Sequence, residues 1–225
     1  MQTTETHPTP IVTTDAVVLT LQDGALHVLV TARPDDPFAG MRALPGGYVR
    51  PGEDADAEAA ITRILRDKTG LGGFHLEQLA CFSGSDRDPR GWSVSVAYMA
   101  LVRRADLGEL PDGVELVAVE GAKGFAFDHD DILSAALQRL QNKGAWSNLP
   151  ALLLPREFTL PEIQGVYEAV RGTKLDQSSF RRKLNELRLV EETGNSRQER
   201  PGRPAKLYRI AGDQDYAGRT FDRML

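Results

Sequence analysis

A glycine-rich stretch followed by a helix-forming stretch is the part of this 225-residue chain best suited to chemistry. The first stretch is LPGGYVRPGE (44–53), in which Gly46 and Gly47 are followed by the acid Glu53. Such a turn is typical of sites that hold phosphate or a metal ion. The second stretch, AITRILRDKTGL (60–71), offers isoleucine, arginine and lysine where a metal site requires carboxylates. The sequence therefore indicates a site that keeps its frame and lacks most of its metal ligands.

A second candidate is the basic and polar stretch QSSFRRKLNELR (177–188). Phe180, Leu184 and Leu187 fall on one face of a helix, which leaves the polar side chains on the other face. A recognition helix presents its N-terminal half to the major groove, and a Pro-Gly-Arg-Pro loop can place arginine in a minor groove. A solvated basic face is the alternative. The predicted DNA-contacting residues are Lys174, Gln177, Ser178, Ser179, Arg181, Arg182, Lys183, Arg197, Arg200, Arg203 and Lys206.

The elements that must position the first candidate lie in residues 1–150. Apolar stretches at 15–24 and 25–33 meet at an Asp-Gly turn and predict a hairpin. Further strands are predicted over HLEQLACFSG and WSVSVAYMALVRR. Apolar residues at helical spacing predict one helix ending at Gly70 and another over DHDDILSAALQRLQNKG. The pattern indicates an α/β domain.

The pattern changes after Pro150. Thr159 with Glu162 three residues later is a capping box at the start of a helix, and Asp176 caps the next one. LVEET, a Gly-Asn turn and PGRPAKLYRI then predict a β-hairpin. Two helices joined by a short turn and followed by a hairpin indicate a winged helix-turn-helix.

The glycine-rich stretch and its helix resemble the Nudix box, in which Gly, five residues and Glu precede an Arg-Glu helix. Gly47 and Glu53 match the first part, and Arg63, Leu65 and Gly70 match the helix. The three family glutamates fall on an isoleucine, an aspartate and a lysine: Ile64, Asp67 and Lys68. The spacer before Arg63 is also nine residues rather than the family's seven.

The departures lie where the family would hold divalent metal at a diphosphate. Ile64 supplies no oxygen ligand, and Lys68 puts a positive charge where the cation would sit. Charges of +1 and +2 about 4 Å apart repel by roughly 8 kcal/mol at an effective dielectric near 20, an upper limit for a flexible lysine. We therefore expect a domain that is not an efficient enzyme, with no catalytic residue, no metal and no cofactor.

The loop SGSDRDPRGW (83–92) resembles the DPRG stretch of ADP-ribose-type Nudix relatives. Arg87 and Arg90 could pair with a diphosphate, because a guanidinium matches phosphate oxygens bidentately. Exposed loop charges are the alternative for both arginines. Trp92 could stack on adenine or ribose, or pack on the core. Arg33, Phe38, Gly46, Gly47, Glu53 and Arg63 complete the predicted ligand-binding set, with Phe38 as a lid residue or plain loop packing.

The whole arrangement resembles the NrtR family of Nudix-related transcriptional regulators of NAD metabolism, with FRRKL and GRPAKLYR as the most specific stretches. The resemblance implies a Nudix-like α/β/α sandwich domain over residues 1–150 and a C-terminal winged helix-turn-helix domain over residues 151–225. It also implies a homodimeric repressor of NAD biosynthesis or salvage genes that binds double-stranded operator DNA and senses ADP-ribose. We expect Leu149–Phe158 to act as a hinge between the domains.

Composition limits the alternatives. The net charge of −5 argues weakly against nucleic acid, but the basic residues are concentrated in 171–209. The single cysteine, Cys81, is expected to be buried, and a chain without disulfides fits a reducing, cytoplasmic setting. No apolar run reaches the ~18 residues of a membrane span, no secretory signal is evident, and four scattered histidines predict no zinc site.

Two alternatives to the repressor remain at this point. One is an active Nudix hydrolase of the ADP-ribose pyrophosphatase type with an appended DNA-binding domain. The other is a regulator of another pathway with a sugar or nucleotide effector. The lost glutamates count against the hydrolase, whereas the winged helix counts equally for both kinds of regulator.

Overall fold

The computed structural model describes residues 9–198 and 204–212. Its N-terminal part is built on a mixed sheet in the order β3-β2-β1-β6-β5, with β4 paired to β1 and β7 paired to β2. β1 and β6 run parallel, and the other pairs are antiparallel. The strands are β1 (Ile11–Gln22), β2 (Ala25–Ala32), β3 (Arg42–Ala43), β4 (Gly46–Tyr48), β5 (His75–Gly84), β6 (Ser93–Leu101) and β7 (Val114–Ala118).

Two helices cover the two faces of this sheet. Along β1, Ala16 and Val18 face one apolar cluster and Val17 and Leu19 face the other, all fully buried. The helix α1 (Ala57–Thr69) packs in the first cluster, and α2 (His129–Gly144) packs in the second. The predicted α/β/α sandwich is therefore confirmed, as is the Asp-Gly hairpin between β1 and β2.

Two predictions for this domain need correction, and one strand was not predicted. Gly46 and Gly47 do not form a turn, because they lie in β4 and pair with β1. Cys81 is exposed rather than buried, because it lies on the solvent side of β5. The strand β7 was not predicted, since its five residues follow a loop rich in Gly, Pro and Asp and only half-bury their side chains.

The C-terminal part is the predicted winged helix-turn-helix. The helix α3 (Leu160–Arg171) begins at the capping box of Thr159 and Glu162. The helix α4 (Gln177–Glu186) begins at Asp176, whose side chain accepts a hydrogen bond from the Ser179 amide. A two-stranded sheet of β8 (Val190–Arg197) and β9 (Ala205–Ile210) follows, and a bridge between Phe158 and Tyr208 extends it.

The hairpin turn of this sheet does not lie at the Gly-Asn pair. Gly194, with a φ of 81°, and Asn195 lie inside β8, where the register between Glu192 and Ser196 shifts. Between these two pairs β8 has two more residues than β9, which together with a glycine at positive φ is an irregularity of the β-bulge kind. The connection between β8 and β9 instead spans 198–204, which lies mostly outside the described residues.

The segment predicted as a hinge is packed in part. A 3-10 helix spans Leu149–Leu153, and all five of its residues are buried. One apolar cluster runs from β1 through α2 and this segment into α3 and α4. The first half of the predicted hinge is therefore packed in the shared core, whereas Pro155 and Arg156 are exposed, and the hinge itself stays a prediction. No helix in the described ranges is long and apolar enough to cross a bilayer.

Candidate functional site

A cavity of about 550 Å³ opens where β1, β4, the loops after β2 and β5, and the start of α2 meet. Five residues predicted to bind ligand line it: Arg33, Gly46, Gly47, Arg87 and Arg90. The lining also contains Thr13, Asp15, Thr31, Ala32, Pro34, Asp35, Asp36, Ala43, Leu44, Tyr48, Lys68, Asp88, Asp112, Gly113, Val114, Phe127 and His129. The structure thus brings together residues from five separate stretches of the sequence, 13–48, 68, 87–90, 112–114 and 127–129.

A buried carboxylate forms the base of this cavity. Asp15 on β1 is 5% exposed and accepts a hydrogen bond of 2.5 Å from the Ser95 hydroxyl on β6. The Leu44 amide donates to Nδ1 of His129, so the proton of the neutral ring lies on Nε2, which is 3.5 Å from Asp15. Burial lowers the pKa of His129, and Asp15 opposes that shift. No pattern along the chain predicts this network, because its members come from four separate parts of the sequence.

The network explains why residue 46 is glycine. A Cβ at Gly46 would lie 1.7 Å from Oδ1 of Asp15 and 2.9 Å from the Thr14 carbonyl oxygen. A Cβ at Gly47 would lie 3.3 Å from Ile64 Cδ1, a close contact that a small shift of the Ile64 side chain relieves. Residue 46 must therefore be glycine because β4 passes close to a buried carboxylate, and not because a turn needs the conformational freedom of glycine.

Arg87 is held by protein carboxylates rather than open to a ligand. Its guanidinium donates two hydrogen bonds of 2.9 Å to Asp128 and one of 3.1 Å to the Ser93 hydroxyl. Its side chain is only 7% exposed, and Asp15 lies 3.9 Å away. A bidentate pair occupies the face that would match a phosphate. The structure therefore makes Arg87 a support for the cavity wall and start of α2.

Arg90 is paired as well, but it stays at the cavity surface. It donates to both oxygens of Asp88, at 2.9 and 2.7 Å, and to the Tyr48 hydroxyl at 2.5 Å. The hydrogen bond from Arg90 is the main reason that the pKa of Asp88 lies below its usual value. The guanidinium also lies over the rings of Tyr48 and Phe127, at 5.4 and 5.6 Å. This arrangement fixes a cation and two aromatic faces at one rim.

Phe127 is a cavity residue that the sequence did not reveal. Its ring lies 4.7 Å from the Arg33 guanidinium and meets Phe38 edge-on at 4.9 Å. Both phenylalanines have positive φ, 58° and 67°, which non-glycine residues adopt only at a cost. Phe38 does not line the cavity itself but braces the ring that does. Trp92, predicted to stack on the ligand or to pack on the core, is 52% exposed, so it does not pack on the core; it lies outside the cavity lining, and its contact with a ligand stays a prediction.

The acid of the glycine-rich stretch that matters to the fold is Asp54. Both of its oxygens accept hydrogen bonds from Arg63, at 2.7 and 2.8 Å, and its side chain is 2% exposed. This hydrogen bonding lowers the pKa of Asp54 to about 2 and raises the pKa of Arg63. Glu53 is exposed and pairs with Arg50. Neither Glu53 nor Arg63 lines the cavity, so this geometry gives no support to their predicted contact with a ligand, which stays a prediction.

The positions of the Nudix glutamates do not form a divalent-metal site. Ile64 is buried, and Asp67 is exposed beside Arg66. Lys68 extends into the cavity and donates a hydrogen bond of 2.7 Å to the Gly46 carbonyl oxygen. Within residues 9–198 and 204–212, no three His, Cys, Asp or Glu side chains are grouped to hold a metal ion. The donor set does not fit the metal that the Nudix resemblance implies.

The outer face of α4 forms the second candidate site. Phe180 and Leu184 are buried against the core, which leaves Gln177, Arg181 and Arg182 exposed. Ser178 is exposed, and Ser179 and Lys183 are half-buried at the edges of that face. Arg182 lies 3.7 Å from Glu186 one turn later, a long and exposed contact. The structure therefore places this group of predicted residues on one surface that begins at a helix N-terminus.

The remaining predicted DNA contacts lie on either side of α4. Lys174, in the turn before it, is 92% exposed and pairs with Glu168. In the wing, Arg197 pairs with Glu162 and Lys206 with Glu192, both partly exposed. Arg200 and Arg203 lie outside the described residues.

Comparisons with known proteins connect the two sites. The model of the NUDIX domain matches residues 11–146, and the model of the NrtR DNA-binding winged helix domain matches residues 150–210. The ADPR responsive transcriptional repressor NtrR of Acinetobacter baylyi is 40% identical over 225 aligned positions, covering 97% of this chain and 88% of the relative. An ADP-ribose pyrophosphatase of Methanocaldococcus jannaschii is 34% identical over 108 residues, 47% of this chain and 63% of the enzyme.

Solved structures support the same grouping. NrtR of Shewanella oneidensis in complex with a 27mer DNA superposes with a TM-score of 0.84 at 36% identity, covering 95% of this chain and 99% of that one. The NUDIX domain of the same protein in complex with ADP ribose matches with a TM-score of 0.55 at 31% identity, covering 62% of this chain and 94% of that one. With both domains matched in order and a relative at 40% identity across almost its whole length, this chain belongs to the NrtR family.

Proposed function

We propose that this protein is a transcriptional repressor whose DNA binding responds to ADP-ribose. The proposal rests on one observation, which is that two sites are present in one folded unit. A cavity built on a Nudix scaffold contains, among the described residues, no group of three side chains that could hold a metal ion, and a shared core joins it to a winged helix with an exposed basic recognition face. The NrtR structure that covers 95% of this chain is a complex with DNA, and the NUDIX domain of the same protein is in complex with ADP ribose.

At the DNA end, the proposed contacts are centred on the exposed residues of α4. The N-terminal half of this helix enters the major groove, where Gln177 can recognise adenine and Arg181 or Arg182 can recognise guanine or bind phosphate. The pairing of Asp176 with the Ser179 amide leaves the other amides of the first turn available to a phosphate. Lys174 and the wing residues add contacts to the backbone of the duplex.

At the effector end, the proposed ligand contacts are those predicted residues that line the cavity. Arg33 and Arg90 face the diphosphate, and the β4 backbone at Gly46 and Gly47 forms the floor beneath it. We assign the aromatic contact with adenine to Tyr48, which is 52% exposed beside Arg90, in place of the more distant Trp92. Arg87 acts through Asp128 and does not touch the ligand in this proposal.

The route between the sites is α2, in place of the predicted hinge. This helix begins at Asp128 and His129, which hold the cavity wall, and ends at Gly144 against the winged helix domain. A Cβ at Gly144 would lie 3.0 Å from Pro150 Cγ and 3.2 Å from Val170 Cγ1, so helix and domain touch without space between them. A ligand that moves the start of α2 therefore shifts α3 as a rigid body, and such differential contact is what a population shift requires.

We further propose that the protein acts as a homodimer, that its targets are genes of NAD biosynthesis or salvage, and that it works in the cytoplasm. A symmetric dimer places two α4 helices on half-sites separated by whole turns of DNA. ADP-ribose is a breakdown product of NAD, so repression released by ADP-ribose would link synthesis of the cofactor to its turnover.

A mobility-shift titration tests the central claim. A duplex from upstream of the protein's own gene is titrated with the full chain, with and without ADP-ribose, and with NAD as the control ligand. We expect saturating ADP-ribose to shift the midpoint to about tenfold more protein, within the usual range of allosteric coupling. An unchanged midpoint would refute the gating, and a midpoint no lower than that for unrelated DNA would refute the repressor itself.

A second candidate function rests on the similarity to the ADP-ribose pyrophosphatase. In that case the chain would hydrolyse ADP-ribose to AMP and ribose phosphate with a divalent metal. We propose instead that turnover is inefficient, because Ile64 and Lys68 occupy ligand positions. AMP release with excess Mg²⁺ or Mn²⁺, at a rate of ~1 s⁻¹ or more as in ordinary enzymes, would favour the hydrolase.

A further inference from the structure

The ammonium group of Lys68 lies in the cavity at the end of the helix that should carry metal ligands. It donates a hydrogen bond of 2.7 Å to the Gly46 carbonyl oxygen, on the strand that forms the cavity floor. Burial is the main reason that the pKa of Lys68 lies below its usual value, the Asp15 carboxylate opposes that shift and Arg33 adds to it. The lysine is thus close enough to Asp15 and Arg33 to interact electrostatically with both.

The cavity cations differ in how they are neutralised. Arg87 and Arg90 each form a bidentate pair with a carboxylate. Arg33 donates instead to the carbonyl oxygens of Pro37, at 2.8 Å, and Asp35, at 3.2 Å, and Lys68 donates to that of Gly46. Arg33 and Lys68 therefore direct positive charge at the cavity while hydrogen-bonded only to neutral carbonyl groups in the described part of the chain.

Together these two side chains carry the formal charge of one divalent metal ion. A diphosphate diester bears one negative charge on each phosphate, so two cations suffice to neutralise it. A diphosphate between Arg33 and Lys68 would also relieve the repulsion between them, and the cation and anion would attract each other more strongly than in water. Nothing in this arrangement requires a metal ligand from Ile64 or Asp67.

We propose that Lys68 takes the place of the divalent metal, so that with Arg33 it binds the diphosphate of the effector and makes effector binding independent of divalent cations. The inference rests on the proposed function, because it concerns how the same cavity holds ADP-ribose. It assigns to Lys68 a role as a binding residue, and it accounts for a cation where the Nudix pattern has a glutamate.

Calorimetric titration of the full chain with ADP-ribose, in EDTA and then in excess Mg²⁺, tests this inference. For the unchanged protein we expect affinities within about twofold of each other in the two buffers. We expect Lys68→Met to bind at least about tenfold more weakly in both, since a hydrogen bond to a charged group is lost. Lys68→Glu should bind still more weakly in EDTA and recover part of its affinity in Mg²⁺, because it restores an oxygen ligand.

The matched control is Arg66→Glu, which makes the same charge change on the same exposed turn of α1 but outside the cavity lining. It should bind ADP-ribose like the unchanged protein in both buffers. AMP serves as the second ligand, because it lacks the diphosphate and its affinity should depend less on Lys68. Thermal melting of each variant verifies that it is folded.

The outcomes separate the two proposals. If the unchanged protein binds ADP-ribose in neither buffer, both the proposed function and the role of Lys68 fail. If it binds only with Mg²⁺, or if Lys68→Met binds as tightly as the unchanged protein in EDTA, the role of Lys68 is overturned while the sensor remains. An equal loss of ADP-ribose affinity in Arg66→Glu would show that the effect of the Lys68 variants comes from the net charge of the protein. That result would also overturn the inference.

Discussion

The cavity and the outer face of α4 are both rich in arginine, and they hold it in different ways. In the cavity, Arg87 and Arg90 form bidentate pairs with carboxylates, and the acidic partner in each is at most 17% exposed. On α4, Arg182 lies 3.7 Å from Glu186 with both side chains more than 60% exposed. Buried pairs of good geometry fix their members, whereas exposed long ones contribute almost nothing to stability.

The difference fits what each surface has to bind. A small ligand gains affinity from groups that are fixed before it arrives, because no side-chain entropy is lost on binding. A DNA backbone offers many similar phosphates, so mobile exposed cations can bind it and release counterions. Charge on α4 should therefore act directly on DNA affinity, whereas the cavity charge of Arg87, which Asp128 holds, should act through geometry. The following experiments examine that contrast.

The largest effect is expected from charge reversal on α4. The double variant Arg181→Glu and Arg182→Glu replaces two exposed cations at the proposed major-groove face with anions. Each such contact contributes about 1–3 kcal/mol, so operator affinity should fall by about 100-fold or more while ADP-ribose affinity is unchanged. Mobility shift and calorimetry measure the two affinities.

A control with the same change in net charge is Arg66→Glu with Arg104→Glu, both exposed on the Nudix domain. We expect its operator affinity to fall far less, by the general electrostatic effect alone. Comparable losses in the two double variants would contradict a local contact by α4.

The next largest effect is expected at Gly46. Gly46→Ala places a methyl group where Oδ1 of Asp15 lies, and Asp15 cannot move without losing its bond to Ser95. Such overpacking costs about 1–3 kcal/mol, and displacement of the cavity floor should lower ADP-ribose affinity by about tenfold. Operator binding should persist and lose its response to ADP-ribose.

Gly52→Ala is the matched control, because a Cβ at Gly52 meets nothing within 4 Å and its φ is ordinary. It should leave the stability and both affinities as they are. If Gly46→Ala binds ADP-ribose normally, the cavity floor is not where the ligand lies.

The two sites also differ in how far the sequence predicts them. The winged helix follows from local signals, since Thr159 with Glu162 and Asp176 cap their helices through residues three positions away. In the cavity, the partner of Arg87 is Asp128, 41 residues later, and the partner of Asp15 is Ser95, 80 residues later. Contacts at such separations depend on the order of the strands in the sheet. The spacing of residues along the chain does not reveal that order.

The spacing of the Nudix pattern also selects a different acid from the one that holds Arg63 in the fold. Counting five residues from Gly47 selects Glu53, whereas the folded chain uses Asp54, its neighbour, to hold Arg63. The spacer of nine residues shifts the register by an amount that the pattern does not resolve. Burial decided between the two acids: Asp54 points inward at 2% exposure and Glu53 points outward at 58%.

The pH dependence of stability should identify Asp54 as the acid in use. Its pKa of about 2 lies below the ordinary value near 4, so the pair with Arg63 stabilises the fold above pH 4 and is lost as pH falls toward 2. Asp54→Asn should therefore lower the melting temperature by a few degrees at pH 7. That difference from the unchanged protein should stay constant to about pH 5 and shrink below pH 4. A difference that persists at pH 2 would point to packing rather than to charge.

The smallest effect is expected at Glu53, and its smallness is informative. Glu53 pairs with Arg50 at the surface, and exposed pairs of this kind contribute less than about 1 kcal/mol. Glu53→Gln should therefore melt within about 1 °C of the unchanged protein at pH 7 and bind ADP-ribose within about twofold. Melting curves and calorimetry on Glu53→Gln and Asp54→Asn side by side measure the contrast between two adjacent acids.

A large loss of ADP-ribose affinity in Glu53→Gln, with Asp54→Asn unaffected, would mean that the ligand contacts the acid selected by the Nudix spacing. In that case the loop after β4 would have to close over the cavity when the ligand binds.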